Sequence, residues 1–193
     1  MTEPRQAADP HQRPRPTAAD LAAARNGTIP DVAAPELRVL FCGINPGLYS
    51  AAVGYHFARP GNRFWPALHL SGFTQRQLRP DEQEELLGLG LGITNVVARA
   101  TARADELSAA ELADGGRALR AKAARLRPGW LAVVGVTAYR VAFGHPEARV
   151  GPQERDLAGT RLWVLPNPSG LNASWTTPKL TAAFAELRAA AGL

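Results

Sequence analysis

The sequence predicts an α/β fold, a three-layer αβα sandwich around a parallel sheet, and three observations carry that expectation. Four apolar runs of strand length, 38–42, 92–96, 130–134 and 161–165, are spaced along the chain. The stretches between them carry helical periodicity or helix-start signals. Two of the runs end in Asn-Pro loops, Gly43-Ile44-Asn45-Pro46-Gly47 and Asn167-Pro168-Ser169-Gly170-Leu171. Strands alternating with helices make a parallel sheet covered on both faces. In such sheets the carboxyl edge of the strands is where ligand crevices form, so the two loops are expected to build one site.

Residues 1–26 are rich in Pro, Arg, Ala and Gln without a large apolar cluster, and read as a flexible basic N-terminal arm, with a short helical turn within 20–25. Residues 27–193 form the folded domain, ordered structure beginning near Ile29. The first strand, 38–42, opens the sheet. Pro60 to Phe64 reads as a loop, and Phe64 then enters a helix with Pro66 in its first turn. Pro80 followed by clustered carboxylates at 81–85 marks another helix start, since acidic groups suit the positive end of the dipole. The second strand is 92–96. Residues 107–126 alternate apolar and charged positions at helical spacing, opening with Ser108 and Glu111 in a capping-box arrangement. The third strand, 130–134, ends at Gly135 and leads into a helix over 137–143. Residues 144–159 lack periodicity and are expected as a surface loop. The fourth strand is 161–165, and 178–191 is the terminal helix.

A chain of 193 residues with 46% apolar content has material for one sizeable core. No run approaches a membrane span, and no signal-peptide pattern opens the chain. Cys42 is the only cysteine and ends an apolar strand, which points to a buried structural thiol in a reducing, cytoplasmic setting. The net charge of +5 suits a polyanionic partner. Twenty of the 22 basic residues are arginine, a bias that a GC-rich genome also produces. His11, His56, His69 and His145 show no metal-ligand spacing, so neither metal nor cofactor is expected. No dinucleotide-binding glycine motif or Walker loop follows any strand, which argues against a nucleotide-binding enzyme.

The two Asn-Pro loops together resemble the mismatch-specific uracil/thymine-DNA glycosylases, a branch of the uracil-DNA glycosylase superfamily. The resemblance extends through Tyr55-His56-Phe57-Ala58-Arg59-Pro60-Gly61-Asn62-Arg63-Phe64-Trp65 and the strand Gly92-Ile93-Thr94-Asn95, and covers roughly residue 29 to the C-terminus. It implies a four-stranded sheet in the order 2-1-3-4. It also implies a monomeric, monofunctional enzyme of base excision repair that acts on double-stranded DNA with G·U or related mispairs. Iron–sulfur branches of the superfamily need four cysteines, which this chain lacks.

Hydrolysing an N-glycosidic bond in DNA requires the nucleotide to leave the stack, the base to depart as an anion, and water to reach the sugar. Asn45 is the expected water-positioning residue, because a neutral carboxamide accepts a hydrogen bond from water without acting as a base. The resemblance implies that relatives with aspartate there are faster. Phe57 matches the position that stacks on the flipped pyrimidine, and Gly43 and Ile44 belong to the base pocket. Backbone N–H groups around Ile44 and Phe57 would meet the base carbonyls. Gly47 stands where the uracil-specific branch has a tyrosine that blocks the thymine methyl, so a larger pocket is expected, partly refilled by Tyr49. Ala98 stands where relatives carry an acidic residue, which implies an impaired enzyme if that carboxylate supports catalysis. Asn167 replaces a histidine that donates to the uracil oxygen. Leu171 is the expected wedge, with Ser169, Gly170 and Asn172 completing the DNA-entering loop, and Arg63, Ser174, Thr176 and Lys179 are candidate phosphate contacts. The competing reading is a mismatch-binding protein with little turnover, toward which Asn45, Ala98 and Asn167 lean.

Overall fold

The structure is a computed structural model, and it describes residues 15–193. Its sheet has five strands, β1 (Val39–Gly43), β2 (Leu91–Asn95), β3 (Trp130–Val134), β4 (Gly151–Leu157) and β5 (Thr160–Leu165), in the order β2-β1-β3-β5-β4. Both the count and the order therefore differ from the expected four strands in the order 2-1-3-4. The added strand is β4, drawn from the stretch expected to be a loop. It pairs antiparallel to β5 at the sheet edge, whereas the other strand-to-strand pairings are parallel.

The reason β4 escapes a periodicity reading is its edge position. It carries Pro152 and the charged run Glu154-Arg155-Asp156, and only its first and last residues are buried. Charge and proline are what an exposed edge strand uses to avoid pairing with other chains. Ala158 and Gly159 turn the chain into β5 with φ of 55° and 83°, the two consecutive positive values of a tight hairpin turn.

Alternation along the central strands separates two cores. Val39, Phe41, Ala132, Val134 and Leu165 face α3 (Phe64–Leu70), α4 (Glu85–Gly88) and α7 (Thr177–Ala190). Leu40, Cys42, Leu131, Val133 and Val164 face α5 (Ala109–Leu126) and α6 (Val136–Phe143). Full burial of both faces explains why these strands read as continuous apolar runs. The helix α5 begins at the expected Ser108–Glu111 capping box, with both reciprocal bonds formed. The carboxylate-rich stretch splits into a 3₁₀ turn, Pro80–Glu82, and the single turn of α4. One helix lacks any expectation: α2 (Leu48–Val53) starts directly at Gly47 and ends at Gly54 in the left-handed region.

Of the segment expected as an arm, residues 1–14 lie outside the described residues. The remainder holds α1 (Ala18–Ala23), capped by a Thr17–Asp20 box. The Asn26 amide donates to the Ala100 carbonyl at 3.0 Å, and Arg25 pairs with Glu106 at 2.7 Å. The expected boundary at residue 26 thus falls inside a network that ties this stretch to 99–106.

Candidate active site

At the carboxyl edge of the parallel strands lies a cleft of about 380 Å³, lined by both Asn-Pro loops. That size is typical of a site for a small ligand, roughly 300–1,000 Å³. Ile44, Asn45 and Gly47 border it from the first loop, Asn167, Ser169 and Leu171 from the second, and Phe57 lies between.

Four carboxamides border this cleft, Asn45, Asn62, Asn95 and Asn167, and each is oriented by its neighbours; Asn62 Oδ1 accepts from the Phe64 amide at 2.9 Å. The Asn45 Nδ2 donates to the Arg99 carbonyl at 2.9 Å and to Thr101 Oγ1 at 2.7 Å. Both of its N–H groups are consumed, so Oδ1 is the free end, an acceptor. Thr101 is itself fixed: it is buried, and its hydroxyl donates to the Arg103 carbonyl at 2.7 Å. Asn167 is tied in the opposite sense. Its Oδ1 accepts from the Ser169 amide at 3.0 Å, which leaves Nδ2 as a donor.

Asn95 is the third. Its Nδ2 lies 3.4 Å from His56 Nδ1, and His56 Nε2 lies 3.0 Å from the Pro30 carbonyl. A carbonyl only accepts, so Nε2 carries the proton and Nδ1 is the acceptor for Asn95. Burial holds the His56 pKa below its ordinary value, which keeps the ring neutral and this tautomer intact. The Asn95 Oδ1 then faces Gly43, where a Cβ would sit 2.5 Å from it and 3.3 Å from the Phe57 ring. Only glycine allows that approach.

Phe57 stacks on Phe64 with ring centroids 4.0 Å apart and 15° between planes, and its remaining face borders the cleft. Core packing on one face therefore leaves the ring still able to line the cleft. Its φ of 53° is unusual for a bulky residue and belongs to the strained conformations that collect at functional sites. Neither its amide N–H nor that of Ile44 has a partner among the described residues, so both are available as donors. A Cβ at Gly47 would meet nothing within 4 Å, which leaves that side of the cleft open. Leu171 is 80% exposed at the mouth, the most exposed of the large apolar side chains described.

Several expected residues are placed elsewhere. Tyr49 does not border the cleft: Gly47 and Ser50, three apart across the start of α2, do. Helical spacing turns Tyr49 away from that face. Ala98 is exposed and lines a separate depression with Glu111, Asp114 and Lys122. Backbone alternation explains this, since the neighbouring Arg99 carbonyl is the group that meets Asn45. Lys179 is exposed in the first turn of α7 and does not border the cleft. Arg63 is turned inward onto carbonyls, and Asn172 Nδ2 is spent on the Asn167 carbonyl at 3.0 Å. Cys42 is fully buried and burial pushes its thiol pKa up, which removes it as a nucleophile.

Thr101, Asn95 and His56 were not assigned a role from the sequence. The signal for Thr101 was present, in the Arg-x-Thr spacing of 99–101, but nothing local indicated that its hydroxyl would reach 56 residues back to Asn45. A model of the uracil DNA glycosylase superfamily matches residues 30–190, and the chain belongs to that superfamily. Its members are DNA glycosylases, hydrolases of N-glycosyl bonds that act on DNA, and the mostly parallel five-stranded α/β sheet is consistent with their fold.

Proposed function

We propose that this protein is a monofunctional DNA glycosylase of the mismatch-directed branch, releasing uracil, and with it thymine or larger pyrimidine lesions, from mispairs with guanine. The observation that carries this reading is the opposite tethering of Asn45 and Asn167 across one cleft. Bond cleavage of a largely dissociative kind leaves an anionic base and an electron-poor sugar carbon. The Asn167 Nδ2 and the amides of Ile44 and Phe57 are donors placed for the base oxygens as charge develops. The Asn45 Oδ1 accepts from water and orients it toward the sugar carbon, the proton passing to solvent. The Asn95 Oδ1 accepts from an imide N–H, which uracil and thymine carry at N3 and neutral cytosine lacks. Phe57 supplies the platform.

The open side at Gly47 supports admission of 5-substituted bases. Support for water rather than an amine as nucleophile comes from the lysines. Neither borders the cleft, and Lys122 is engaged with Asp31 and, at 2.7 Å, with Thr94 Oγ1. The product is then an abasic site in an unbroken strand.

The test is single-turnover base release from duplexes carrying uracil, thymine or etheno-cytosine opposite guanine, with uracil opposite adenine alongside. Release fastest from a guanine mispair, with strand breakage only after alkali, is expected. Tight mismatch binding without release under single-turnover conditions would replace this reading with the recognition protein.

A further inference from the structure

Arg63 precedes α3, on the loop that also carries Phe57 and Asn62. Its side chain is half-buried and makes no ion pair with any described carboxylate. Instead the guanidinium donates to four main-chain carbonyls of one stretch: Pro168 from Nε at 3.4 Å, Ser169 at 2.5 Å and Asn172 at 3.0 Å from Nη2, and Trp175 from Nη1. Its backbone N–H adds a further bond to the Pro168 carbonyl at 3.0 Å. These are the carbonyls of the loop that raises Leu171 into solvent.

That loop has no sheet or helix to hold it. Its own bonds are few: the Ser169 and Leu171 amides close onto Asn167 Oδ1 and Ser169 Oγ, the Asn172 and Trp175 amides close onto carbonyls three residues back, and Asn172 Nδ2 donates to the Asn167 carbonyl. The Ser169 and Asn172 carbonyls already accept from the Asn172 and Trp175 amides, and the Pro168 carbonyl from the Arg63 N–H. The Trp175 carbonyl has the Arg63 side chain as its sole partner among the described residues, and a carbonyl left inward without a donor is costly. A guanidinium, with five donors in a rigid plane, satisfies several at once, and lysine cannot match that geometry. The second contact between the two loops is steric. A Cβ at Gly170 would sit 2.7 Å from the Gly61 carbonyl, so the backbones meet directly there.

We propose that Arg63 is a positioning residue for the wedge: it gathers the carbonyls of 168–175 so that Leu171 stands at a set height above the base pocket before DNA arrives. Its positive charge is not used to grip phosphate. This inference rests on the glycosylase reading for what the wedge does, but not for how the loop is held. Pre-shaping matters because ordering a loop during binding costs affinity, and misplacement by about 1 Å can cost on the order of 10²-fold in rate.

The experiment compares the full chain with Arg63→Met, Arg63→Lys, Leu171→Ala and the Arg63→Met/Leu171→Ala double variant. Hydrogen exchange in the DNA-free protein is expected to speed up across 168–175 in Arg63→Met, with the sheet unchanged. Single-turnover release from a G·U duplex should fall about 10- to 100-fold. In the Leu171→Ala background the same change should cost less than about twofold, because the two act through one wedge. Arg63→Lys should resemble Arg63→Met, and the salt dependence of DNA binding should stay that of wild type. Gly170→Ala, which leaves charge untouched, should loosen the same amides and serves if Arg63→Met does not fold. A phosphate contact gives the reverse pattern: Arg63→Lys near wild type, and a log–log salt slope shallower by about one in Arg63→Met. That pattern, or unchanged exchange in 168–175, overturns the proposal. A wild-type protein that releases no base overturns the functional reading instead, and the exchange comparison still decides what Arg63 does.

Discussion

The two Asn-Pro loops offer the cleft the same side chain and hold it in opposite senses. Asn45 has its amide nitrogen consumed by Arg99 and Thr101, and presents oxygen. Asn167 has its oxygen consumed by Ser169, and presents nitrogen. The loops are also held differently. The first continues the sheet: Val97 donates to the Ile44 carbonyl and Thr101 to the Pro46 carbonyl, at 2.9 and 3.1 Å. The second hangs from Arg63 and its own turns. A carboxamide has no fixed polarity toward a ligand until its partners choose one; for Asn45 the choice is made by residues 54 and 56 positions along the chain, for Asn167 by Ser169 in its own loop. An acceptor and a donor bordering one cleft suit the proposed reaction, in which water attacks one atom and an anion departs from its neighbour.

The sharpest break in that comparison is at position 45. Asn45→Ala removes the acceptor and should lower single-turnover release by about 10²–10³, in the range found when one preorganised group is lost, with mismatch binding near wild type. Asn45→Asp keeps the acceptor and adds charge, and should release base faster than wild type. Unchanged release in Asn45→Ala would reject the assignment.

Aspartate at 167 should do the opposite. It has no donor when ionised and opposes the departing anion, so Asn167→Asp should be slower than Asn167→Ala, which loses roughly 10- to 100-fold, the worth of a hydrogen bond to a charged group. If the two substitutions at 167 ranked the other way, the donor role would be lost.

A weaker effect is expected from pH. His56 is held neutral by burial, so its folded pKa lies below its ordinary value of 6.5. The unfolded chain therefore takes up a proton first as pH falls. The stability associated with the neutral ring is fully present above 6.5, declines below it, and is gone once pH passes the folded pKa. Thermal melting from pH 7.5 to about 5 should fall less steeply in His56→Gln than in wild type. Parallel melting curves would show that another group governs the acid limb.

The smallest effect should be at Ala98. The sequence suggested that a carboxylate there would aid catalysis, but Ala98 is exposed and borders a different depression, beside Glu111 and Asp114. Ala98→Asp should leave base release within about twofold, the scale of a surface change of ~0.5 kcal/mol. A tenfold gain would return that position to the catalytic group.

The parallel strands and long helices were legible because each carries a local signature. The strands are apolar runs buried on both faces, and α5 opens with a capping box whose two bonds both form. That the two Asn-Pro loops line one cleft was legible because both follow strands of one parallel sheet. Three features were not. The edge strand β4 is exposed and charged, so burial left no pattern in it. The helix α2 spans six residues, too short for periodicity to register, and missing it misplaced Tyr49. The polarity of Asn45, Asn95 and Asn167, and the inward turn of Arg63, depend on partners that lie far away in sequence in all but one case, Ser169 beside Asn167.

By itself, then, the sequence determined which residues reach the carboxyl edge of the sheet, because strand burial and loop chemistry are local properties. Tertiary structure alone decided which ends of Asn45 and Asn95 face the cleft and that the Arg63 cation turns inward. A side chain with several donors and acceptors takes its role from whichever of them the fold satisfies first.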